Sequence, residues 1–299
     1  MNKLEFRVEE AARRLDRYIA DRCPELSRSE VQRLIKEGLV LVNEAPAKAS
    51  YGPVPGDWIT VYLPQEETLV PEEIPLDILF EDEYLLVINK PAGLVVHPSP
   101  GHEAGTLVNA LLAHRPDLVR ANLDPQRPGI VHRLDRETSG VLVVAATAQV
   151  QRALQQQFKS REVEKIYLAL VYGRLLPLRA AIEAPIGRDP RDRKKMKVLR
   201  EGKYARTEYH VREHLAESTF LEATLLTGRT HQLRVHFASI GHPVVGDRVY
   251  GPRHQRIDAP RQMLHSWRLR FSHPITKERM EFAAPLPEDF DRVLKALRR

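Results

Sequence analysis

His132-Arg133-Leu134-Asp135-Arg136-Glu137-Thr138-Ser139-Gly140 runs directly into Val141-Leu142-Val143-Val144-Ala145. The second stretch is short, unbroken and apolar, as expected of a strand buried on both faces. The first has no apolar period and is crowded with Arg, Asp, His, Thr and Ser. It reads as a loop held against that strand. Working outward, Leu85–Asn89 is a second buried strand, ending at Lys90-Pro91-Ala92-Gly93. Further strands are expected at Lys165–Tyr172, Ala205–Arg212 and Phe220–Leu226. Helical spacing marks 106–114, 148–158, 229–240 and 289–297. Strands dominate and do not alternate regularly with helices. The expected class is therefore α+β, with a mixed, largely antiparallel sheet and peripheral helices. No internal repeat is visible.

The first 62 residues form a separate pattern. Arg14–Ile19 opens an amphipathic stretch, and Ser27-Arg28-Ser29-Glu30 has capping-box spacing. Val31, Leu34 and Ile35 recur at helical intervals, and Gly38 stops the helix. Leu39–Asn43 and Trp58–Tyr62 are short strands, the second entered through Pro55-Gly56-Asp57. Residues 63–77, acidic and containing Pro64, Pro71 and Pro75, read as an exposed, semi-stiff linker. The rest, 78–299, is long enough for one larger domain.

Net charge is +6 and unevenly spread. Residues 1–62 are neutral, 63–83 carry −8, and 84–299 carry +14. A long basic region favours polyanions, although a solubilising surface has the same signature. Arg188, Arg191, Arg193, Lys194, Lys195, Lys197, Arg200 and Lys203 have few apolar neighbours, so this segment reads as a mobile loop able to grip a phosphate backbone. No apolar run reaches membrane-spanning length, and residues 1–10 lack a secretion-signal core. With one cysteine, Cys23, an internal disulfide is excluded. A cytoplasmic protein is the simplest reading, with a monomer favoured.

Asp135 lies between Arg133 and Arg136, and cationic neighbours favour the carboxylate anion. Alone, an Asp before Thr-Ser-Gly is as readily a turn residue. The segment Thr227-Gly228-Arg229-Thr230-His231-Gln232-Leu233-Arg234-Val235-His236 joins a strand to a helix and clusters polar groups at that helix's start. His231 and His236 are five apart, off the i, i+4 face of helical zinc sites, so no metal is expected. His236 reads as a packed, hydrogen-bonded histidine. Neither a dinucleotide fingerprint nor a phosphate loop occurs, so no cofactor is expected.

The N-terminal pattern, from the first helix to "VLVN" and "PGDWITV", resembles the alpha-L RNA-binding domain over roughly residues 12–62. Glu44 departs from it, standing where such domains usually have Gly. In such domains the second helix carries RNA contacts, which implies Arg28, Arg33 and Lys36; these residues read equally as solvated charges. "HRLDRETSG", "EKIYLALVYG", "LLTGRTHQLRVHFASIGHPVVGDRVYG" and "RQMLHS…FSHP" together resemble the RluA-type pseudouridine synthases across roughly 75–290. The leading domain makes the chain more similar to the large-subunit ribosomal RNA branch (RluC- and RluD-like).

The resemblance implies that Asp135 is the nucleophile and that Arg229 pairs with it. It further implies that Tyr167 stacks on a flipped uridine, that Arg133 enters the vacated RNA stack, and that Leu233 walls the pocket. Ser266, where Ala is common, is expected to stay clear of the chemistry. The implied substrate is structured RNA, large-subunit ribosomal RNA first and transfer RNA second. The main alternative is a non-catalytic RNA-binding or ribosome assembly factor of the same fold. A hydrolase built on Asp135 and a histidine lacks a second carboxylate or an activated nucleophile. Asp135, Tyr167 and Arg229 should share one basic cleft.

Overall fold

The computed structural model describes residues 2–63, 69–99, 101–118 and 127–298. The chain divides into compact units at Met1–Thr68 and Leu69–Arg299.

In the first unit, strands β1 (Asn2–Arg7), β2 (Val40–Val42), β3 (Ala45–Pro46) and β4 (Trp58–Leu63) form a sheet in the order β1-β4-β2-β3. Helices α1 (Leu15–Arg22) and α2 (Arg28–Lys36) contribute Leu15, Ile19, Val31 and Leu34 to a core shared with Val40, Ile59 and Val61. The capping box is present in both directions: Ser27 Oγ accepts from Glu30 N–H, and Glu30 Oε2 accepts from Ser27 N–H. Between β2 and β3, Asn43 and Glu44 take φ of 50° and 65°, the left-handed pair that a two-residue hairpin requires. Asn43 meets this need with its side chain, which bonds Asp57 Oδ1 and Trp58 N–H at 2.8 Å each. Glu44 does so without glycine's freedom.

The second unit is built on one sheet in the order β5-β6-β7-β14-β8-β13-β12-β9, with β15 paired to β14. Its strands are β5 (Ile78–Glu81), β6 (Leu85–Lys90), β7 (Ser139–Ala145), β8 (Glu164–Tyr172), β9 (Arg179–Glu183), β12 (Arg206–His214), β13 (Ser218–Leu225), β14 (Leu264–Ser272) and β15 (Arg279–Ala283). All pairs are antiparallel except β7 with β14. That parallel crossing sits at Gly140, where φ is +112° and a Cβ would lie 2.1 Å from the Ser266 carbonyl oxygen. Only glycine allows the two backbones to approach so closely. Helices α3 (Leu107–His114), α4 (Ala148–Ser160), α5 (Gln232–Ser239) and α6 (Glu288–Leu297) complete the unit.

Two expectations are corrected here. The segment 69–77 is not a free linker. Leu69 and Leu76 pack on the core, Glu72 N–H donates to Asn109 O, and Asn109 Nδ2 donates to Val70 O. These contacts strap it down, whereas residues 64–68 lie outside the described ones. Nor is 188–203 an irregular loop. Strands β10 (Ile186–Arg188) and β11 (Met196–Val198) form a hairpin in the register Ile186↔Val198. Ile186, Met196 and Val198 join Ala205, Val235 and Tyr250 in a small core, so a few spaced apolar residues anchor the basic run.

Candidate active site

Asp135 stands on a loop fixed from several sides. The buried Lys90 at the end of β6 donates through Nζ to Pro91 O, Leu94 O and Arg136 O, at 2.7, 2.9 and 3.1 Å. Burial pushes its pKa down to about 7, with the Arg261 charge adding to the shift. Arg261, ion-paired to Asp289 at 2.6 Å, donates to Glu137 O and Ser139 Oγ. Gln262 Nε2 donates to Thr138 Oγ1 at 2.7 Å. The loop's backbone is therefore held by groups brought from 90 and from 261–262, leaving the Asp135 side chain 18% exposed. Rigid support of this kind is what a reacting group needs.

The Asp135 carboxylate faces a cavity of about 480 Å³, within the roughly 300–1,000 Å³ of small-ligand sites. Arg133, Leu134, Tyr167, Arg229, His231, Leu233 and Arg234 line it, together with the basic residues Lys159, Arg161 and Lys165. Asp135, Tyr167 and Arg229 thus share one basic cleft. Arg133 and Leu233 lie on the same walls.

The pairing within the cleft differs from expectation. Arg229 Nε donates to Tyr204 O at 3.0 Å. The cation on Asp135 is Arg234, whose Nη1 donates to Oδ2 at 3.0 Å. The same guanidinium binds Asp247 through Nε and Nη2, at 2.7 and 3.0 Å. Asp247 is fully buried and also accepts N–H groups from Val249 and Tyr250. Arg234 is therefore a buried fork with one side committed to Asp247 and the remaining Nη1 offered to Asp135. Arg229 sits on the turn before α5, outside that fork. Arg136, adjacent to Asp135, pairs instead with Glu137 at 3.1 Å.

This turn owes its shape to Gln232, which sequence reasoning passed over. Gln232 Oε1 accepts from Arg229 N–H and Thr227 Oγ1, while Nε2 donates to Arg206 O and Thr207 Oγ1. His231 precedes α5 with φ +55°. All of Gln232–Phe237 is buried. An Arg inside such an apolar run has to be paired, and this rule, together with the Asp of "VVGDRVYG", was the available signal for Arg234 and Asp247. His236 is buried between Thr207 Oγ1 and Ala184 O, both at 3.0 Å, as a structural histidine.

Tyr167 on β8 lies between Ala223 of β13 and Ser266 of β14. It is 6% exposed and packs in the main core while also reaching the cavity. Burial pushes its phenol up to about 12, with Ser266 opposing and the Asp135 charge adding to the rise. Ser266 therefore touches the site through Tyr167, contrary to expectation, because the β8–β14 register makes them cross-strand partners. His132 stacks on Phe158 and accepts from Val143 N–H, and burial lowers its pKa to about 3.

In the N-terminal unit, Arg33 and Lys36 are exposed on α2. Arg28 is half-committed, its Nε donating to the buried Asp16 at 3.0 Å.

A rigid loop carboxylate, a buried aromatic and a paired guanidinium in one basic cavity suit covalent chemistry on a planar base. Residues 84–239 match the family RNA pseudouridylate synthase, and residues 13–59 match the S4 domain. The chain belongs to the RNA pseudouridine synthases, isomerases that act on RNA, and carries an S4 RNA-binding domain. It is 46% identical over 303 residues to "Uncharacterized RNA pseudouridine synthase YlyB" of Bacillus subtilis (strain 168), covering 100% of this chain and 99% of that one. It is 45% identical to "Ribosomal large subunit pseudouridine synthase D" of Neisseria meningitidis serogroup A, covering 97% and 80%. Among solved structures, Human RNA Pseudouridylate Synthase Domain Containing 1 superposes with a TM-score of 0.59 at 31% identity, over 76% of this chain and 96% of that one.

Proposed function

We propose that this enzyme converts uridines of large-subunit ribosomal RNA to pseudouridine, with Asp135 as nucleophile. The observation carrying the proposal is the Asp135 carboxylate held by Arg234 on the wall of a basic, nucleotide-sized cavity. Relatives named for the large ribosomal subunit support the choice of RNA. The target uridine leaves its stack at a cost of roughly a few kcal/mol, offset by stacking on Tyr167 and by backbone contacts. Arg133, exposed beside the cavity, takes up the vacated space, and Leu233 supplies an apolar wall.

Asp135 attacks the uridine, at the sugar or at the uracil ring. The C–N glycosidic bond breaks, the base turns, and a C–C bond to carbon 5 replaces it. The carboxylate is released unchanged, the carbon-5 proton is lost and the freed ring nitrogen gains one, so that the reaction balances as an isomerisation. Arg234 compensates the carboxylate's charge in the closed complex, where low dielectric strengthens such a pair. Arg229 and the basic hairpin add positive potential at the rim. Arg28, Arg33 and Lys36 on α2 supply phosphate contacts from the S4 domain.

Mapping pseudouridines in total RNA from cells lacking the protein tests this reading. Sites in large-subunit ribosomal RNA should vanish and return with wild type but not with Asp135→Asn. An unchanged map refutes it; losses confined to transfer RNA would move the assignment to that substrate.

A further inference from the structure

The Tyr250 hydroxyl links the basic hairpin to the active site. Met196, at the start of β11, donates its backbone N–H to the Tyr250 oxygen at 2.8 Å. With one lone pair so engaged, the phenolic hydrogen is available to His231 Nδ1, 2.7 Å away. A neutral imidazole that accepts at Nδ1 carries its proton on Nε2. His231 Nε2 is the nitrogen that faces Asp135, 3.8 Å from Oδ1, while Oδ2 belongs to Arg234. The ring is held by an edge contact with Tyr250, whose face in turn lies beneath the Arg234 guanidinium. Two hydrogen bonds therefore run from the hairpin backbone through Tyr250 to His231, whose Nε2 stands 3.8 Å from the second oxygen of Asp135, an electrostatic contact longer than a hydrogen bond.

We propose that His231 is a positioning residue for Asp135, and that Tyr250 makes its orientation depend on the basic hairpin. RNA phosphates that fix the hairpin fix Met196, and so keep the Tyr250 hydrogen on Nδ1 and the Nε2–H towards Oδ1. A displaced hairpin frees the Tyr250 oxygen to turn, and the histidine loses its assigned tautomer. Engagement of RNA some residues away is thereby read at the nucleophile. The inference rests on the proposed function, specifically on the hairpin as an RNA-binding element.

The test combines Tyr250→Phe, which keeps the ring and removes the hydroxyl, with Lys194→Ala/Lys197→Ala on the exposed hairpin. Single-turnover conversion is measured on a large-subunit ribosomal RNA transcript carrying a uridine that the wild type modifies. Tyr250→Phe should lower the saturating rate about two- to tenfold, the effect of losing one hydrogen bond between neutral groups. In the wild-type background the charge removal should raise KM and lower the saturating rate. In the Tyr250→Phe background it should raise KM alone. His231→Gln, which keeps a side-chain N–H donor, should retain more activity than His231→Leu. Nitrogen-15 shifts should report a single Nε2–H tautomer in wild type and a mixture in Tyr250→Phe. Equal rate losses in both backgrounds, or a wild-type rate for Tyr250→Phe, overturn the relay while leaving the proposed function intact. An unchanged KM on charge removal would instead sink the RNA-binding role of the hairpin, and the relay with it.

Discussion

Arg234 serves two carboxylates, and substitutions can separate the two services. Arg234→Met keeps the stem's bulk and removes the guanidinium. Asp247, fully buried and bonded to Arg234 at 2.7 and 3.0 Å, then keeps only the N–H groups of Val249 and Tyr250. Breaking a buried pair from one side costs about 3–5 kcal/mol, because the surviving charge has no compensation. Adding Asp247→Asn removes that charge, and the double variant should sit only about 1–2 kcal/mol below wild type. Pseudouridine formation should behave differently: absent in Arg234→Met and still absent in the double variant, since Asp135 remains without its cation. Arg229→Met, at a half-exposed residue bonded to one carbonyl, should cost under about 1 kcal/mol. Urea unfolding of the full chain and a conversion assay on RNA provide the two readouts. If the double variant recovers activity together with stability, Arg234 is scaffold only and the site has been misassigned. A loss below about 1 kcal/mol in Arg234→Met would refute the account of the fork itself.

Further outcomes follow from the same geometry. Lys90 is pushed down to about 7 and Lys165 to about 8, both by burial first, so the unfolded chain holds protons that the folded one has released between those values and about 10.5. Stability should therefore rise with pH from 7 to 10, by at most about 1.4 kcal/mol per unit for each group; denaturant midpoints of wild type against Lys90→Met should show that part of the slope vanish. Glu44→Gly removes a left-handed non-glycine and should stabilise the N-terminal unit by about 1 kcal/mol, read as slower hydrogen exchange at Val40–Val42. Tyr167→Ala should cost about 3–5 kcal/mol. A tyrosinate absorbance titration of Tyr167→Phe should match wild type below pH 11, because the missing phenol ionises only near 12.

The elements that were legible were those whose signal is local. The Ser27–Glu30 box, the apolar run Val141–Ala145 and the turn at Gly38 each carry their cause within a few residues. The shared cleft of Asp135, Tyr167 and Arg229 was legible through family resemblance, since nothing within any one segment announces the others. The ion pair was misread because Arg234 and its partners lie 99 and 13 residues apart, in a helix whose buried circumference hides which face points where. The basic hairpin looked like a loop because Ile186, Met196 and Val198 find their apolar partners on α5 and at Tyr250, far along the chain. Charge counts along a sequence do not see such anchors. Ser266 was dismissed for the same reason, as its importance comes from register with Tyr167.

The contact between Gly140 and the Ser266 carbonyl has a consequence for how this enzyme can change. It acts as a spacer gauge, with the distance between β7 and β14 set by a missing carbon. Any side chain at 140 must push apart the strand that follows Asp135 and the strand that faces Tyr167, dragging those two side chains out of step. Mutational libraries should therefore find position 140 closed to every other amino acid. Arg136, exposed on the same loop and paired with Glu137, should accept substitution, whereas Arg133, on the cavity wall, should not.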